Sequence, residues 1–173
     1  MIRRATYGDI DGIVAIYERV LDLEEHGKAS IGWVRGVYPT RDTALLALER
    51  KELFVCVVDG ELQATAIINH RQMPSYAMGR WKVEANAEEI MVLHTLVVDP
   101  RFSGRGIGRE FVGFYEQYAK AHGCKDLRMD TQEKNKAARS LYRKLGYDEI
   151  GIVACDFNGI QGVNLVLLEK PVL

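Results

Sequence analysis

LHTLVVDPRFSGRGIGREF, residues 93–111, contains an apolar run that Pro100 ends, a loop with three alternating glycines, and the start of a helix. Glycine lets a backbone adopt positive φ and approach a ligand closely, and the free N–H groups at a helix start bind anions. Residues 101–109 add three arginines and no acidic residue. This combination predicts a site for a phosphate or pyrophosphate; the alternative is a glycine-rich turn with solvated arginines.

Two familiar phosphate-binding loops agree poorly with this segment. A P-loop requires a Lys-Ser/Thr pair after its last glycine, whereas here that glycine is followed by Arg109 and Glu110. A dinucleotide-binding turn requires G-x-G-x-x-G, whereas these glycines are spaced G-x-G-x-G. Asp130 lies about twenty residues farther on, where an acid would bind a ribose hydroxyl, so a dinucleotide site stays open as a competing interpretation.

A second segment, at residues 135–147, completes a family pattern. The first segment resembles the motif Q/R-x-x-G-x-G/A of the GNAT superfamily of N-acetyltransferases, with residues 103–108 in the motif positions after the strand end Val98-Asp99-Pro100. The second segment resembles that family's N-x-x-A-x-x-x-Y-x-x-x-G-F/Y motif. The residues that match it are Asn135, Ala138, Tyr142, Gly146 and Tyr147. Two motifs in the family's order and spacing are much more specific than either motif alone.

One position departs from the family pattern. The first motif position is usually Gln or Arg, and in this chain it is Ser103. We expect one side-chain contact to the pyrophosphate to be shortened or lost. The backbone donors of the loop do not depend on that side chain, and Arg101 or Arg105 would supply charge.

The resemblance implies acetyl-CoA as the acetyl donor. The pantetheine arm would lie along the strand Leu96-Val97-Val98, the pyrophosphate would lie over the glycine loop, and a backbone N–H near Leu96 would bind the acetyl carbonyl. Asn135 would position the cofactor or a water. The implied cofactor-binding residues are Leu96, Val97, Val98, Arg101, Ser103, Gly104, Arg105, Gly106, Ile107, Gly108, Arg109 and Asn135.

The resemblance also implies a catalytic acid. Tyr142 would protonate the departing thiolate, because a phenol with a pKa near 10 can donate a proton as charge develops on sulfur; the alternative is a buried helix residue that only packs. The acceptor amine must also lose a proton. The candidates for that base are His94, Asp130 and Glu89, and the family does not assign the role to one position.

The predicted elements follow the order β-α-α-β-β-β-α-β-α-β-β. The dipeptides Asp59-Gly60 and Asn158-Gly159 between β-rich runs predict two hairpins. We therefore expect one mixed α/β domain over residues 1–173, with a central, mostly antiparallel mixed sheet flanked by helices, as in the GNAT fold.

Two segments without periodicity, residues 24–39 and 71–87, contain Trp33, Tyr38, Tyr76 and Trp81. Long loops in a compact domain are often functional. These aromatics would line an acceptor pocket, or they would pack the loops or a dimer contact.

Composition restricts the function class. The chain of 173 residues has 23 Lys+Arg and 24 Asp+Glu, for a net charge of −1, which disfavours a general nucleic-acid binder. Its three cysteines form no C-x-x-C pair, and no metal-ligand arrangement or membrane-length apolar run is visible. We expect a cytoplasmic enzyme that acetylates a primary amine on a small molecule. Alternatives are a peptide or protein amine as the acceptor, or a CoA-binding module without turnover; a homodimer is left open.

Overall fold

A seven-stranded mixed sheet forms the centre of the structure, a computed structural model that describes all residues, 1–173. Its strands are β1 (Ile2–Arg4), β2 (Leu53–Val58), β3 (Glu61–Asn69), β4 (Ile90–Val98), β5 (Asp126–Gln132), β6 (Asp148–Phe157) and β7 (Ile160–Pro171). They lie in the order β1-β2-β3-β4-β5-β7-β6. All neighbours are antiparallel except β4 and β5, which are parallel.

Four α-helices cover the two faces of this sheet. They are α1 (Ile10–Glu25), α2 (Arg41–Glu49), α3 (Ile107–Ala121) and α4 (Lys136–Lys144). Short 3-10 turns lie at Tyr7–Asp9, Pro74–Met78, Ala87–Glu89 and Pro100–Phe102. The element order and the mixed sheet predicted from the sequence are confirmed, and both predicted hairpins form around Asp-Gly and Asn-Gly turns with positive φ. The segment at residues 71–87 contains one of the 3-10 turns rather than only irregular chain.

The core is divided by the sheet. Helices α3 and α4 pack against one face in a cluster that includes Phe111, Tyr115 and Tyr142. Helices α1 and α2 pack against the other face in a cluster that includes Ile13 and Tyr17. Because side chains alternate along a strand, neighbouring residues of β4 and β5 face opposite sides of the sheet. This alternation determines on which face of the sheet the side chain of each site residue lies.

A buried polar cluster holds the loop that follows β3. The Arg128 guanidinium donates to Asp126 at 2.6 Å and lies 4.0 Å from the centre of the Trp81 ring. Glu169 accepts the backbone N–H groups of Lys82 and Val83 at 2.9 to 3.0 Å. The loop is therefore attached to β5 and β7 through charged groups that have almost no contact with solvent.

The Asp126 carboxylate is desolvated and only partly hydrogen-bonded in this cluster. Its Oδ1 is buried without a hydrogen-bond partner. Burial raises the pKa of the Asp126 carboxyl to about 6, with Arg128 opposing the shift and Glu169 adding to it. The folded state therefore binds this proton more tightly than the unfolded state does. The resulting stability is present below the unfolded pKa and is lost as pH rises through about 6.

We expect Asp126→Asn to become increasingly stable relative to the parent protein as pH rises. Asn has no charge to desolvate, so the difference in free energy of unfolding should grow by about 1 to 3 kcal/mol between pH 4 and 7.5. Urea titrations at several pH values measure it. Asp11→Asn is the control, because that side chain is 87% exposed. A difference that stays flat with pH for Asp126→Asn would contradict the assignment.

Candidate active site

The site lies where the two parallel strands separate. The last residue pair between β4 and β5 is Leu93 with Met129, although β4 continues to Val98 and β5 continues to Gln132. Beyond that pair, the facing edges of β4 and β5 no longer form hydrogen bonds with each other. A cavity of about 210 Å³ begins at this point.

A β-bulge accompanies the separation. On the other edge of β4, Thr95 and Leu96 together occupy the place opposite Ala66 of β3. Thr95 has φ of +52°, which is unusual for a β-branched residue, and its hydroxyl is hydrogen-bonded to Tyr38. An extra residue bends its strand, so the bulge turns β4 away from β5. No pattern of residues predicted this bulge.

The glycine loop presents a row of unused donors. Gly106 caps α3 in the left-handed conformation, with φ of +81°. The six backbone N–H groups from Gly104 to Arg109 have no hydrogen-bond acceptor in the protein. Together with the positive end of the helix dipole, these donors form an anion site. Gly108 has a packing role, because a Cβ there would lie 3.3 Å from Leu141 of α4.

The three arginines of this loop differ in what they contact. Arg101 donates to the fully buried Asp99 at 2.8 and 3.0 Å, and Arg19 of α1 binds the same carboxylate at 2.6 and 3.1 Å. Arg105 and Arg109 form no salt bridge, and Arg105 lies 5.3 Å from the centre of the Phe102 ring. The Arg101 guanidinium is therefore paired with a carboxylate in the turn, whereas Arg105 and Arg109 have no such partner and are free to bind an anion. Ser103 is exposed in the same loop.

The strand residues predicted to lie along the cofactor are divided between the faces. Leu96 lines the cavity. Val97 packs into the cluster beneath α1 and α2, and Val98 packs against the cluster beneath α3 and α4. Any contact to a ligand at Val97 would therefore be made by its backbone.

Three residues of the second motif, Asn135, Ala138 and Tyr142, also line the cavity. Asn135 caps α4, because its Oδ1 accepts the N–H of Ala138 at 3.2 Å. Tyr142 is 7% exposed, and its hydroxyl makes no hydrogen bond within the protein. Burial, and then the nearby Asp130, raise the pKa of Tyr142 above its usual range. Its phenol therefore keeps its proton at neutral pH.

His94 and Asp130 face the cavity from the side of α1 and α2. Asp130 accepts the Tyr76 hydroxyl on Oδ2 at 2.6 Å, while its Oδ1 has no partner. Burial raises the pKa of Asp130 to about 6, against the opposing effect of the Tyr76 hydrogen bond. Burial lowers the pKa of His94 to about 4. At neutral pH the carboxylate is mostly ionised and the imidazole is neutral.

Glu89 is separated from the other candidate bases. It precedes β4, at the opposite end of that strand from the cavity, and it pairs with Lys125 and accepts the N–H of Asn86 at 3.0 Å. Five residues of strand place it roughly 16 Å from His94. The structure brings together His94, Asp130 and Tyr142, but not Glu89.

The aromatic residues of the two loops have different roles. Trp33 and Tyr38 line the cavity. Trp81 instead donates to the backbone carbonyl of Tyr76 at 2.7 Å and packs on Arg128. Of the two interpretations of these aromatics, pocket lining applies to the first loop and loop packing applies to Trp81.

Three residues of the site had no motif to reveal them. Tyr76 binds Asp130, Asn69 binds His94 at 2.9 Å, and Gln132 donates to the carbonyl of Gly32 at 3.0 Å. Asn69 and Gln132 end strands that border the cavity, and polar residues at strand ends are the signal that could have identified them.

No group of three His, Cys, Asp or Glu side chains is placed to hold a metal ion. None of the four α-helices has the length and hydrophobicity of a membrane-spanning segment.

Curated relatives include several N-acetyltransferases. An uncharacterized N-acetyltransferase of Methanocaldococcus jannaschii is 25% identical over 88% of this chain, and the aligned part is 62% of that protein's length. The chain thus spans less than two thirds of that relative. The thialysine N-epsilon-acetyltransferase of Bos taurus is 25% identical over 87% of this chain and 85% of its own.

Solved structures show the same fold. An acetyltransferase of the GNAT family from Streptococcus agalactiae is 27% identical with a TM-score of 0.81, covering 99% of this chain and 94% of its own. The yncA protein from Salmonella typhimurium, whose structure contains its cofactor acetyl-CoA, has a TM-score of 0.71 at 18% identity, covering 100% of this chain and 94% of its own. Residues 18–147 match the acetyltransferase (GNAT) family, and this range includes the glycine loop and both motifs. The chain belongs to the GNAT family of acetyltransferases.

Proposed function

We propose that this protein transfers the acetyl group of acetyl-CoA to a primary amine on a small molecule, by direct attack in a complex of both substrates. The observation that carries the proposal is the gap between β4 and β5. It is lined from the α3 and α4 side by the Tyr142 hydroxyl and from the α1 and α2 side by Asp130. A proton donor and a proton acceptor thus face one opening from opposite sides of the sheet.

The glycine loop supports coenzyme A as the donor. The unpaired N–H groups from Gly104 to Arg109, with the free side chains of Arg105 and Arg109, suit a pyrophosphate. The loop directly follows β4, whose unpaired edge leads from the loop to the cavity. An extended pantetheine arm has the shape to continue along such an edge, which would bring the thioester to Leu96.

The chemistry requires two proton transfers. The neutral amine attacks the thioester carbonyl carbon, the carbon–sulfur bond breaks, and the nitrogen becomes acidic as the new bond forms. Asp130 takes that proton, because its carboxylate is mostly ionised at neutral pH with a pKa of about 6. Tyr142 donates its proton to the departing thiolate. The products are the amide and CoA.

The loop between α1 and α2 favours a small acceptor over a peptide. The Gln132 side chain donates a hydrogen bond to the carbonyl of Gly32 in this loop. The rings of Tyr38 and Phe157 pack edge-on, with their centroids 6.4 Å apart. Since Phe157 ends β6, the loop touches both β5 and the β6–β7 hairpin and covers the acceptor side of the cavity. An extended chain would have to displace these contacts, whereas a compact amine would not.

Thiol release from acetyl-CoA, measured with a panel of amines, tests the proposal. The panel holds aminoglycosides, polyamines, amino acids and peptides with a free N-terminus. We expect release with at least one small primary amine and none with peptides. CoA binding without thiol release from any amine would support a binding module instead. Thermal protection by NAD but not by CoA would contradict the assignment of the glycine loop.

We expect Tyr142→Phe to lower kcat by about 100-fold while acetyl-CoA binding stays nearly unchanged. The hydroxyl has no partner within the protein, so its removal leaves the packing intact. Steady-state kinetics and calorimetric titration of CoA measure the two quantities. Tyr7→Phe, at an exposed tyrosine, is the matched control. An unchanged kcat would remove Tyr142 from the chemistry.

We expect the double variant Arg105→Ala/Arg109→Ala to bind CoA roughly 2- to 30-fold more weakly at low salt, because two exposed charges that face phosphate are lost. The difference from the parent protein should shrink as salt is added, since salt screens exposed charges. Calorimetric titrations at several salt concentrations measure it. Arg50→Ala, at an arginine outside the loop and without a salt bridge, is the control. Equal affinity of the double variant and the parent protein would argue against a pyrophosphate at this loop.

A further inference from the structure

Asn69, the last residue of β3, has an amide whose orientation is determined by its neighbours. Its Oδ1 accepts the backbone N–H of Arg71 at 2.8 Å. Its Nδ2 donates to Glu52 Oε2 at 3.1 Å, and Glu52 also binds the Arg71 guanidinium. A backbone N–H can only donate and a carboxylate held by a guanidinium can only accept. The oxygen and nitrogen of the Asn69 amide therefore cannot be exchanged.

This orientation determines where His94 carries its proton. His94 Nε2 lies 2.9 Å from Asn69 Oδ1, which can only accept, so Nε2 bears the hydrogen. The imidazole is neutral at pH 7, because burial holds the pKa of His94 near 4. Its Nδ1 consequently has a free lone pair. That nitrogen makes no hydrogen bond, it is not among the buried atoms without a partner, and the residue lines the cavity.

A second free acceptor lies across the gap. Asp130 Oδ2 is occupied by the Tyr76 hydroxyl, while Oδ1 has no partner and is likewise not sealed from the cavity. The last pair between β4 and β5 is Leu93 with Met129. His94 and Asp130 are the next residues along the two strands, on the same face of the sheet. They flank the point where the strands separate.

We propose that Asn69 is a positioning residue which, by fixing the tautomer of His94, gives the acceptor site two hydrogen-bond acceptors, His94 Nδ1 and Asp130 Oδ1, one for each N–H bond of a primary amine. The proposal rests on the acetyl transfer proposed above and extends it to the choice of acceptor. A neutral primary amine donates both hydrogens to this pair and keeps its lone pair for the thioester. A secondary amine has one hydrogen and leaves one acceptor without a partner.

An acceptor left unpaired in a desolvated site is costly, so we expect the protein to favour a primary amine over its N-methyl derivative by roughly 5- to 150-fold in kcat/KM. The other charged groups around His94 are Arg71 and Glu52, on the Asn69 side. Burial is the main influence on the pKa of His94; a hydrogen bond with the Arg71 backbone raises this pKa, and the charge of the Arg71 guanidinium lowers it.

The tautomer is read by nitrogen NMR of protein labelled with ¹⁵N-histidine, with the His94 signals identified by their loss in His94→Gln. We expect a protonated Nε2 and an unprotonated Nδ1 in the parent protein between pH 6 and 8. Asn69→Ala should give a mixture of tautomers. Asn69→Asp keeps an accepting oxygen, so it should restore the single tautomer and raise the pKa of His94. A protonated Nδ1 in the parent protein, or the parent spectrum in Asn69→Ala, would overturn the proposal.

The kinetic arm uses the best primary amine from the panel and its N-methyl derivative. Asn69→Ala should lower kcat/KM for the primary amine and reduce the preference toward unity, with KM for acetyl-CoA unchanged. Asn164→Ala, at an exposed amide of β7, should keep the parent preference. A parent-like preference in Asn69→Ala would refute the two-acceptor site alone. Absence of turnover with every amine would refute the acetyl transfer and the two-acceptor site together, and the NMR result would still show whether the tautomer was assigned correctly.

Discussion

The parallel pairing of β4 with β5, and its interruption after Leu93 and Met129, is the constraint on which the site depends. A parallel pair requires a crossover, which α3 provides, and the helix start therefore lies next to the end of β4. The bulge at Thr95 and Leu96 then turns β4 outward. The interruption and the bulge thus create the opening and its unpaired strand edge, and the crossover places the anion site beside them.

Because the opening passes through the sheet, it connects two different environments. On the face that α3 and α4 cover, α4 supplies a tyrosine with a raised pKa, and the glycine loop leads into α3. The opposite face supplies a carboxylate and a neutral imidazole, each oriented by a buried polar neighbour, Tyr76 or Asn69. Two substrates entering from opposite faces would meet only at this gap, which is the geometry that direct transfer between them requires.

Local patterns in the sequence were sufficient for the element order, both hairpins and the glycine loop, because each depends on short-range propensities such as Asp-Gly turns and helix punctuation. Tyr142 and Asp130 were predicted from the family resemblance, whereas His94 was predicted from its position on β4 and the ordinary pKa of an imidazole. The contacts of Asn69 and Tyr76 depend on residues 25 and 54 positions away, and no local pattern carries that information. Trp81 shows the same limit, since its cation–π partner Arg128 lies on a strand distant in sequence.

The buried Asp99 has a consequence for how a ligand is received. Its carboxylate is held by Arg19 from α1 and by Arg101 from the turn, so the path of the chain into the glycine loop is set by groups that belong to the protein itself. A loop ordered only by its ligand would spend part of the binding free energy on its own conformational entropy. Here that entropy is lost once, during folding. The affinity for an anion then depends on the donors that the anion contacts, and little binding free energy is lost in ordering the loop.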